Sequence, residues 1–273
     1  MVTPVLSALP GVGLRTCVTP VPCAEAPVLS ALPGVGLTTL NDRAALQERH
    51  DRKYVLAEGQ AEVLLAALPA GSAVLEIDGR RDFGYVSTYF DTADLLSFRS
   101  AATGRRRRFK VRIRRYVDTG ERWLEVKTRG ARGLTVKDRT GVPEPWDTGW
   151  LDQTLAARGV RHLSARGLGP TLEVAYRRST LLLPDASRVT IDTDLVWWSA
   201  GHDAVARLGG LAIVETKTAG GASPTDRWLW QHGVRPCRLS KYATGLARLY
   251  DLPGANRWHR TLTRLADSDD DAP

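Results

Sequence analysis

Basic and apolar residues alternate along several short segments of this chain, and this alternation limits its fold more than any other feature. From Arg108 to Arg114 the two kinds of side chain take turns without a break. Side chains two apart on a β-strand point to the same side. One face of this segment therefore carries Arg108, Lys110, Arg112 and Arg114, and the other carries Phe109, Val111 and Ile113.

Four further segments have polar faces of the same kind. Their shared faces carry Arg49, Asp51 and Lys53; Glu125 and Lys127; Thr135, Lys137 and Arg139; and Glu215 and Lys217. A sheet with one face in the core and one in water is the simplest interpretation. A solvated face, however, usually mixes both signs of charge with Ser, Thr and Gln. Because neighbouring cations repel one another unless an anion lies among them, the pattern favours a closed sheet around a polyanion.

The order of predicted elements indicates the fold class. Strands are predicted over residues 49–56, 83–91, 107–116, 122–129, 134–139, 172–183, 188–195 and 211–218. Helices are predicted over residues 58–67, 150–158 and 241–250, after Ser223, and as one turn over 44–48. Many strands joined by short turns are typical of an antiparallel sheet or barrel. We therefore expect an α+β protein, an antiparallel β-barrel with helices packed outside.

Both ends of the chain are predicted to lie outside the folded domain. The string PVLSALPGVGL occurs twice, at residues 4–14 and 27–37. Two copies are too few for a solenoid, and Pro and Gly interrupt each candidate helix or strand. We expect a flexible leader over residues 1–41, one domain over 42–252, and a tail over 253–273 with a disordered acidic end.

Composition and missing motifs exclude several classes of protein. The net charge of +8 indicates an anionic partner without identifying it. The three cysteines have neither metal-ligand spacing nor a disulfide framework, and no apolar run suits a transmembrane helix, so a cytoplasmic location is expected. P-loop, dinucleotide-binding and nucleophile-elbow motifs are missing. Few aromatic residues interleave with the four arginines at 105–108, so nucleic acid is not expected as a partner.

The order of short motifs resembles a known family. The motifs are RHDRKY at 49–54, TYFDT at 88–92, KVRIR at 110–114, EVK at 125–127, VKDR at 136–139, YRR at 176–178, RVTID at 188–192, VETK at 214–217 and SKY at 240–242. Together they resemble the VTC domain, the polyphosphate polymerase domain of vacuolar transporter chaperone complexes and its bacterial relatives. That domain belongs to the triphosphate tunnel metalloenzymes, so the resemblance implies a triphosphate tunnel.

The resemblance also implies roles for individual residues. By this similarity, the catalytic cations are Lys53, Arg112, Arg114, Lys127, Arg178 and Lys241. Further phosphate-binding residues are Lys110, Lys137, Arg139, Arg188 and Lys217. Glu215 matches the metal-binding glutamate, and Glu125 is a weaker metal candidate that could instead pair with a cation. Arg178 has the strand parity of Leu172 and Val174, which requires a bulge or a different strand assignment.

The implied activity is transfer of the γ-phosphoryl group of ATP to inorganic polyphosphate, with Mn²⁺ or Mg²⁺ as cofactor. The partners are then ATP and polyphosphate. Two alternatives stay open: a tunnel that binds polyphosphate or another polyanion without catalysis, and a metal-dependent hydrolase of triphosphate. The ExExK signature of the related CYTH enzymes is not obvious in the chain, which argues against a plain triphosphatase.

Overall fold

The alternating segments form strands of one curled sheet. A computed structural model describes residues 27–44, 50–129, 135–142, 148–161 and 163–266. Within these residues the strands are β1 Gly34–Val35, β2 His50–Ala57, β3 Ala73–Leu75, β4 Asp82–Asp91, β5 Phe109–Tyr116, β6 Arg122–Arg129, β7 Thr135–Gly141, β8 Gly169–Leu182, β9 Arg188–Ser199, β10 Val205–Leu208 and β11 Leu211–Thr218. The helices are α1 Pro27–Ala31, α2 Leu37–Arg43, α3 Glu58–Ala66, α4 Leu96–Ala102, α5 Gly149–Ala157, α6 Pro224–Gln231, α7 Lys241–Leu249 and α8 His259–Ala266.

Hydrogen bonding places the strands in the order β2–β11–β9–β8–β4–β5–β6–β7. Neighbours along this path are antiparallel, while β10 pairs with β9, β3 with β8, and β1 runs parallel to β3. Short connections join three of the seven pairs on this path, β5–β6, β6–β7 and β8–β9, which explains why turn sequences such as residues 117–121 separate those strands. The predicted α+β class with an antiparallel sheet is confirmed.

The sheet curls until its two ends face each other. On a flat sheet β2 and β6 would lie about 29 Å apart, six spacings of ~4.8 Å. The short segment before α7 nevertheless contacts both ends of this path: the backbone N–H of Cys237 donates to the carbonyl oxygen of Lys53 on β2 at 2.8 Å, and the Ser240 hydroxyl accepts from Nζ of Lys110 on β5, next to β6, at 2.8 Å. The strands therefore enclose one interior. Among the described residues no backbone ladder joins β2 to β7.

Two apolar clusters cover the outside of the sheet. In one, Tyr54, Val189 and Val214 pack beneath α3 and α6. In the other, Val111, Leu124 and Val126 pack beneath α5. These side chains have the strand parity opposite to the basic residues, so the predicted alternation between an apolar outer face and a charged inner face is confirmed for these strands.

The interior face is not polar throughout. Leu172, Val174 and Ile213 lie inside with α7, which enters one end of the curl. Trp197 on β9 donates from Nε1 to the carbonyl oxygen of Lys241 at 2.8 Å and fixes the start of this helix. The parity that Arg178 shares with Leu172 and Val174 is thus consistent with an inward-facing arginine, although β8 also contains a register shift between residues 175 and 177.

The second copy of the repeat is part of the fold, contrary to the expected flexible leader over residues 1–41. Residues 27–41 contain α1, β1 and most of α2. Arg81 donates from Nη1 to the carbonyl oxygens of Leu29, Ser30 and Leu32 at 2.6–2.9 Å. Proline does not prevent this packing, because Pro27 stands at the first helical position, where no N–H is needed. The first copy at residues 4–14 and most of the helical turn predicted at 44–48 lie outside the described residues.

The chain after residue 252 also packs onto the domain, which corrects the predicted tail. A 3₁₀ turn, Ala255–Trp258, leads into α8. The Trp258 ring is 4% exposed and lies 5.5 Å, centroid to centroid, from Phe98 on α4. The acidic residues from 267 onward lie outside the described residues. No described helix is long and apolar enough to cross a membrane.

Gly245→Ala tests the packing of α7 in the interior. A Cβ at this position would lie 2.3 Å from Cδ1 of Trp197, whereas a Cβ at Gly59 on α3 would meet nothing within 4 Å. We expect Gly245→Ala to lower the free energy of unfolding by about 1–3 kcal/mol. Gly59→Ala, the matched control, should raise it by up to ~1 kcal/mol through helix propensity. Urea denaturation measures both, and an equal response of the two variants would contradict the close approach.

Candidate functional site

Three buried carboxylates organise the charged part of the interior. They are Glu125 on β6, Asp192 on β9 and Glu215 on β11, and their exposed fractions are 2%, 1% and 8%. An isolated carboxylate at such depth would be strongly disfavoured by desolvation, so each needs a cationic partner. Each has at least two, and the partners come from different strands or helices.

Glu125 is surrounded by cations from β5 and β7. Its Oε2 accepts from Nε of Arg112 at 2.7 Å, and Nε of Arg114 lies 3.9 Å away. Its Oε1 lies 2.5 Å from Nζ of Lys137. Burial alone would raise the pKa of Glu125, but the three cations hold it well below the ordinary value. Glu125 therefore serves as a counter-ion that holds three cations in place, the pairing role that sequence analysis left open.

Asp192 joins β8 to α7. Its two oxygens accept from Nε and Nη2 of Arg178 at 2.5 and 2.8 Å, and Oδ2 also accepts from Nζ of Lys241. Tyr176 lies beneath these cations, with Nζ of Lys241 at 4.4 Å and Cζ of Arg178 at 5.3 Å from its ring centroid. Despite burial, Arg178 and Lys241 hold the pKa of Asp192 far below its usual value.

Glu215 differs from the other two carboxylates because, among the described residues, its ion-pair partners are lysines. Its Oε2 accepts from Nζ of Lys217 at 2.7 Å, and its Oε1 lies 3.5 Å from Nζ of Lys53. Burial lowers the pKa of Lys217 to about 8, although Glu215 opposes the shift. Both lysines are point charges on flexible stems, so Glu215 is held less rigidly than a carboxylate bound by a guanidinium fork.

Three lysines form a row across the neighbouring strands β5, β6 and β7. In the ladders Lys110 is directly opposite Lys127, which is directly opposite Lys137. Burial and neighbouring cations, Lys127 first among them, lower the pKa of Lys110 well below its usual value. Nζ of Lys110 donates to the Ser240 hydroxyl at 2.8 Å, and Lys127 has no hydrogen-bonding or ion-pairing partner among the described residues. Lys137 pairs with Glu125, but no described carboxylate contacts Lys110 or Lys127, so the row keeps an excess of positive charge.

The structure brings most of the predicted site residues together. The residues assembled in the interior are Lys53, Lys110, Arg112, Arg114, Glu125, Lys127, Lys137, Arg178, Glu215, Lys217 and Lys241. Two predicted phosphate-binding residues make other contacts. Arg139 lies over the ring of Trp123, 4.7 Å from its centroid. Arg188 donates to the carbonyl oxygens of Leu40 and Ala44, both at 3.1 Å, and so holds α2 against the sheet.

Sequence reasoning assigned no role to Asp192, although a signal for it existed. Residues 188–192 alternate between polar and apolar side chains, and Asp192 shares the polar face with Arg188 and Thr190. Sequence reasoning also assigned no role to the tyrosine rings that contact these cations, Tyr89 and Tyr176. Tyr89 accepts from Nη1 of Arg112 at 2.9 Å, and an isolated tyrosine in a strand carries no mark of such a contact.

The residues present fit a divalent cation that binds together with phosphate. Among the described residues no three His, Cys, Asp or Glu side chains are grouped closely enough to hold a metal ion. Mg²⁺ and similar ions often take one or two protein carboxylates and complete their shell with phosphate oxygens and water. Glu215, whose partners are lysines alone, is the carboxylate that can exchange them for a metal with least disruption. To bind a metal, Glu125 would have to break its ion pair with Arg112, and Asp192 its ion pair with Arg178.

Comparisons with known proteins identify related chains. Residues 48–250 match the model of the VTC domain family. A putative adenylate cyclase from Vibrio parahaemolyticus is 14% identical, with a TM-score of 0.37 over 81% of this chain and 98% of that one. A putative adenylyl cyclase from Hippeastrum, described as having a dominant triphosphatase activity, is 16% identical, with a TM-score of 0.47 over 75% of this chain and 97% of that one. No curated protein matches the chain.

Glu125→Gln tests the counter-ion role. Removing one partner of a buried ion cluster costs about 3–5 kcal/mol, so we expect a loss near the lower end because Lys137 is partly solvated. Sulfate should recover part of the loss, since an oxyanion can take the place of the carboxylate. Because the pKa of Glu125 is lowered in the folded state, its contribution exists above the ordinary carboxyl pKa of ~4.3 and disappears as the pH falls.

Chemical denaturation at pH 7 and at progressively lower pH measures this effect. The difference between wild type and Glu125→Gln should narrow as the pH falls below ~4. Glu62→Gln, an exposed glutamate on α3, is the control and should change stability by less than ~0.5 kcal/mol. A Glu125→Gln protein as stable as this control would show that the interior cations need no carboxylate.

Proposed function

The chain belongs to the VTC domain family, and on that premise we propose that it transfers the γ-phosphoryl group of ATP to inorganic polyphosphate held in its cationic interior. The observation that carries this proposal is the lysine row Lys110–Lys127–Lys137, whose charge exceeds what the described carboxylates balance. Ammonium and guanidinium groups suit phosphate oxygens, and enclosure strengthens each contact by lowering the local dielectric.

The reaction needs no nucleophile from the protein. A terminal oxygen of the polyphosphate acceptor attacks the γ-phosphorus, a new P–O bond forms, and the bond from that phosphorus to the β,γ-bridging oxygen breaks. The electron pair leaves with ADP. Catalysis of such a transfer consists of positioning and of offsetting the charge on the transferred oxygens.

In this proposal the cations beside Glu125 and Asp192 position the phosphates, and the lysines beside Glu215 lie next to the metal. Arg112 and Arg114 lie beside Glu125, and Arg178 and Lys241 lie beside Asp192, so four cations from β5, β8 and α7 stand in the interior in set positions. Charges fixed before the reaction need no reorganisation as the transition state forms. Lys53 and Lys217 lie beside Glu215, which would hold Mn²⁺ or Mg²⁺. When bound, the ion would supply further positive charge to the phosphoryl oxygens.

One experiment separates this activity from its alternatives. The full chain is incubated with ATP, Mn²⁺ and a polyphosphate primer, while chain length, ADP and free phosphate are followed together. Growth of the chain in step with ADP supports the polymerase. Free phosphate without growth supports the hydrolase, and polyphosphate binding with neither product supports the binding module. Failure to bind tripolyphosphate at low salt would refute all three.

Glu215→Gln should separate catalysis from binding. We expect turnover to fall by at least about 100-fold, because the variant lacks the carboxylate for the metal. Polyphosphate affinity should stay within a few-fold of wild type, since every cation is kept. The matched control is Glu173→Gln, which removes a buried glutamate on β8 that binds Thr88 outside the interior. Wild-type turnover in Glu215→Gln would remove Glu215 from the reaction.

The affinity for anions should depend on pH through two lysines. Burial lowers the pKa of Lys137 and of Lys217 to about 8. Phosphate favours the charged form, so loss of the protons from these two lysines should make tripolyphosphate affinity fall above pH ~8, by up to about tenfold per pH unit for each lysine. Calorimetry at constant ionic strength measures this. A variant with Lys137→Arg and Lys217→Arg keeps both charges and should lose most of the decline; an identical decline would exclude these lysines.

A further inference from the structure

Three arginines meet where the interior opens beside β5 and β6. Arg108 directly precedes β5, Arg129 ends β6, and Arg257 lies in the 3₁₀ turn before α8. Since Phe109 is opposite Thr128 and Lys110 is opposite Lys127, Arg108 and Arg129 are neighbours one residue further out. Both have the strand parity of the interior lysines. They therefore extend the charged interior face to its rim.

Arg257 is held at this rim by the C-terminal segment. Its Nη1 donates to the carbonyl oxygen of Ala102 at 3.3 Å and lies 3.4 Å from where a Cβ of Gly104 would be. The neighbouring Trp258 is buried against Phe98. A buried tryptophan thus fixes the segment that brings a third guanidinium to Arg108 and Arg129.

The three arginines carry like charge without a matching carboxylate. Burial and the nearby Arg129 and Arg257 all lower the pKa of Arg108, and no described carboxylate opposes them. Nη1 of Arg108 donates only to the carbonyl oxygen of Arg105, at 3.5 Å, among the described residues. Guanidinium groups gathered in this way repel one another unless an oxyanion lies between them.

We propose that Arg108, Arg129 and Arg257 form a second phosphate-binding site, which holds units of a polyphosphate chain that extend out of the interior. This inference rests on the proposed function and narrows its substrate class to chains longer than triphosphate. The site continues the path of Lys110 and Lys127, so one anion can contact both. Arg108 lies four residues, about 13 Å of strand, from Arg112, so we expect a triphosphate held by Arg112 and Arg114 not to contact the second site.

The chemistry of this rim favours polyphosphate over single-stranded RNA. Binding of single strands usually adds aromatic side chains on which bases stack. The described residues of the rim, 103–108, 129 and 257, include no aromatic residue, and the adjacent Trp258 is buried. Guanidinium groups without an aromatic surface beside them favour a ligand that presents phosphate oxygens throughout its length.

The test measures the binding of three ligands, tripolyphosphate, long-chain inorganic polyphosphate and single-stranded RNA, to wild type and to two triple variants. The rim variant combines Arg108→Gln, Arg129→Gln and Arg257→Gln. The control combines Arg43→Gln, Arg161→Gln and Arg166→Gln, which removes the same charge from exposed positions. Affinity for tripolyphosphate and for long-chain inorganic polyphosphate is measured over a range of salt, and circular dichroism confirms that each variant is folded.

We expect the rim variant to bind long-chain polyphosphate about tenfold to 100-fold more weakly. The slope of log binding constant against log salt concentration should become shallower by about two. Its affinity for tripolyphosphate and both affinities of the control should stay close to wild type. Unchanged long-chain affinity, or equal losses for both ligands, would overturn the second site. So would a loss of affinity for single-stranded RNA alone. If wild type binds neither phosphate ligand, the proposed function itself fails.

Discussion

The pairing of each buried carboxylate with cations from separate elements is the interaction on which the rest of the interior depends. A curled sheet that points so many lysines and arginines inward would be opened by their repulsion. Glu125, Asp192 and Glu215 oppose this repulsion. Their hydrogen bonds from Arg112, Arg178 and Lys217 also give these cations fixed positions. Replacing such clusters by apolar residues often stabilises a protein. Their presence here is better explained by what the remaining positive charge can bind.

The apolar half of the interior determines where the charged half begins. Helix α7 is held inside the curl by several contacts at its N-terminal part. The Tyr242 hydroxyl donates to Asp91, which also accepts from the backbone N–H groups of Ser97 and Phe98 at the start of α4. One carboxylate thereby links β4, α4 and α7. Because Ser240 and Lys241 stand at the start of α7, this packing places Ser240 against Lys110 on β5 and Lys241 against Asp192 on β9.

Strand parity explains why so much of the fold and the site could be predicted. A period of two residues assigns each side chain to a face without knowledge of its neighbours, and this was sufficient for Arg112, Lys127 and Glu215. Elements whose stability comes from distant contacts were not predictable in this way. The segment at 27–41 depends on Arg81, and the 3₁₀ turn depends on Phe98. Arg188 has the expected parity, but α2 accepts its hydrogen bonds, and no local pattern reports that contact.

The gap in the backbone ladder between β2 and β7, seen among the described residues, has a mechanical consequence. The wall resembles a split ring more than a closed pipe, so its circumference is not fixed by peptide hydrogen bonds. Lys53 on edge strand β2 and Lys137 on edge strand β7 can change their separation without breaking any described strand pairing. An anionic ligand that contacts both edge strands would draw them together, and its release would let them move apart. The width of the interior can therefore adjust to the bound ligand.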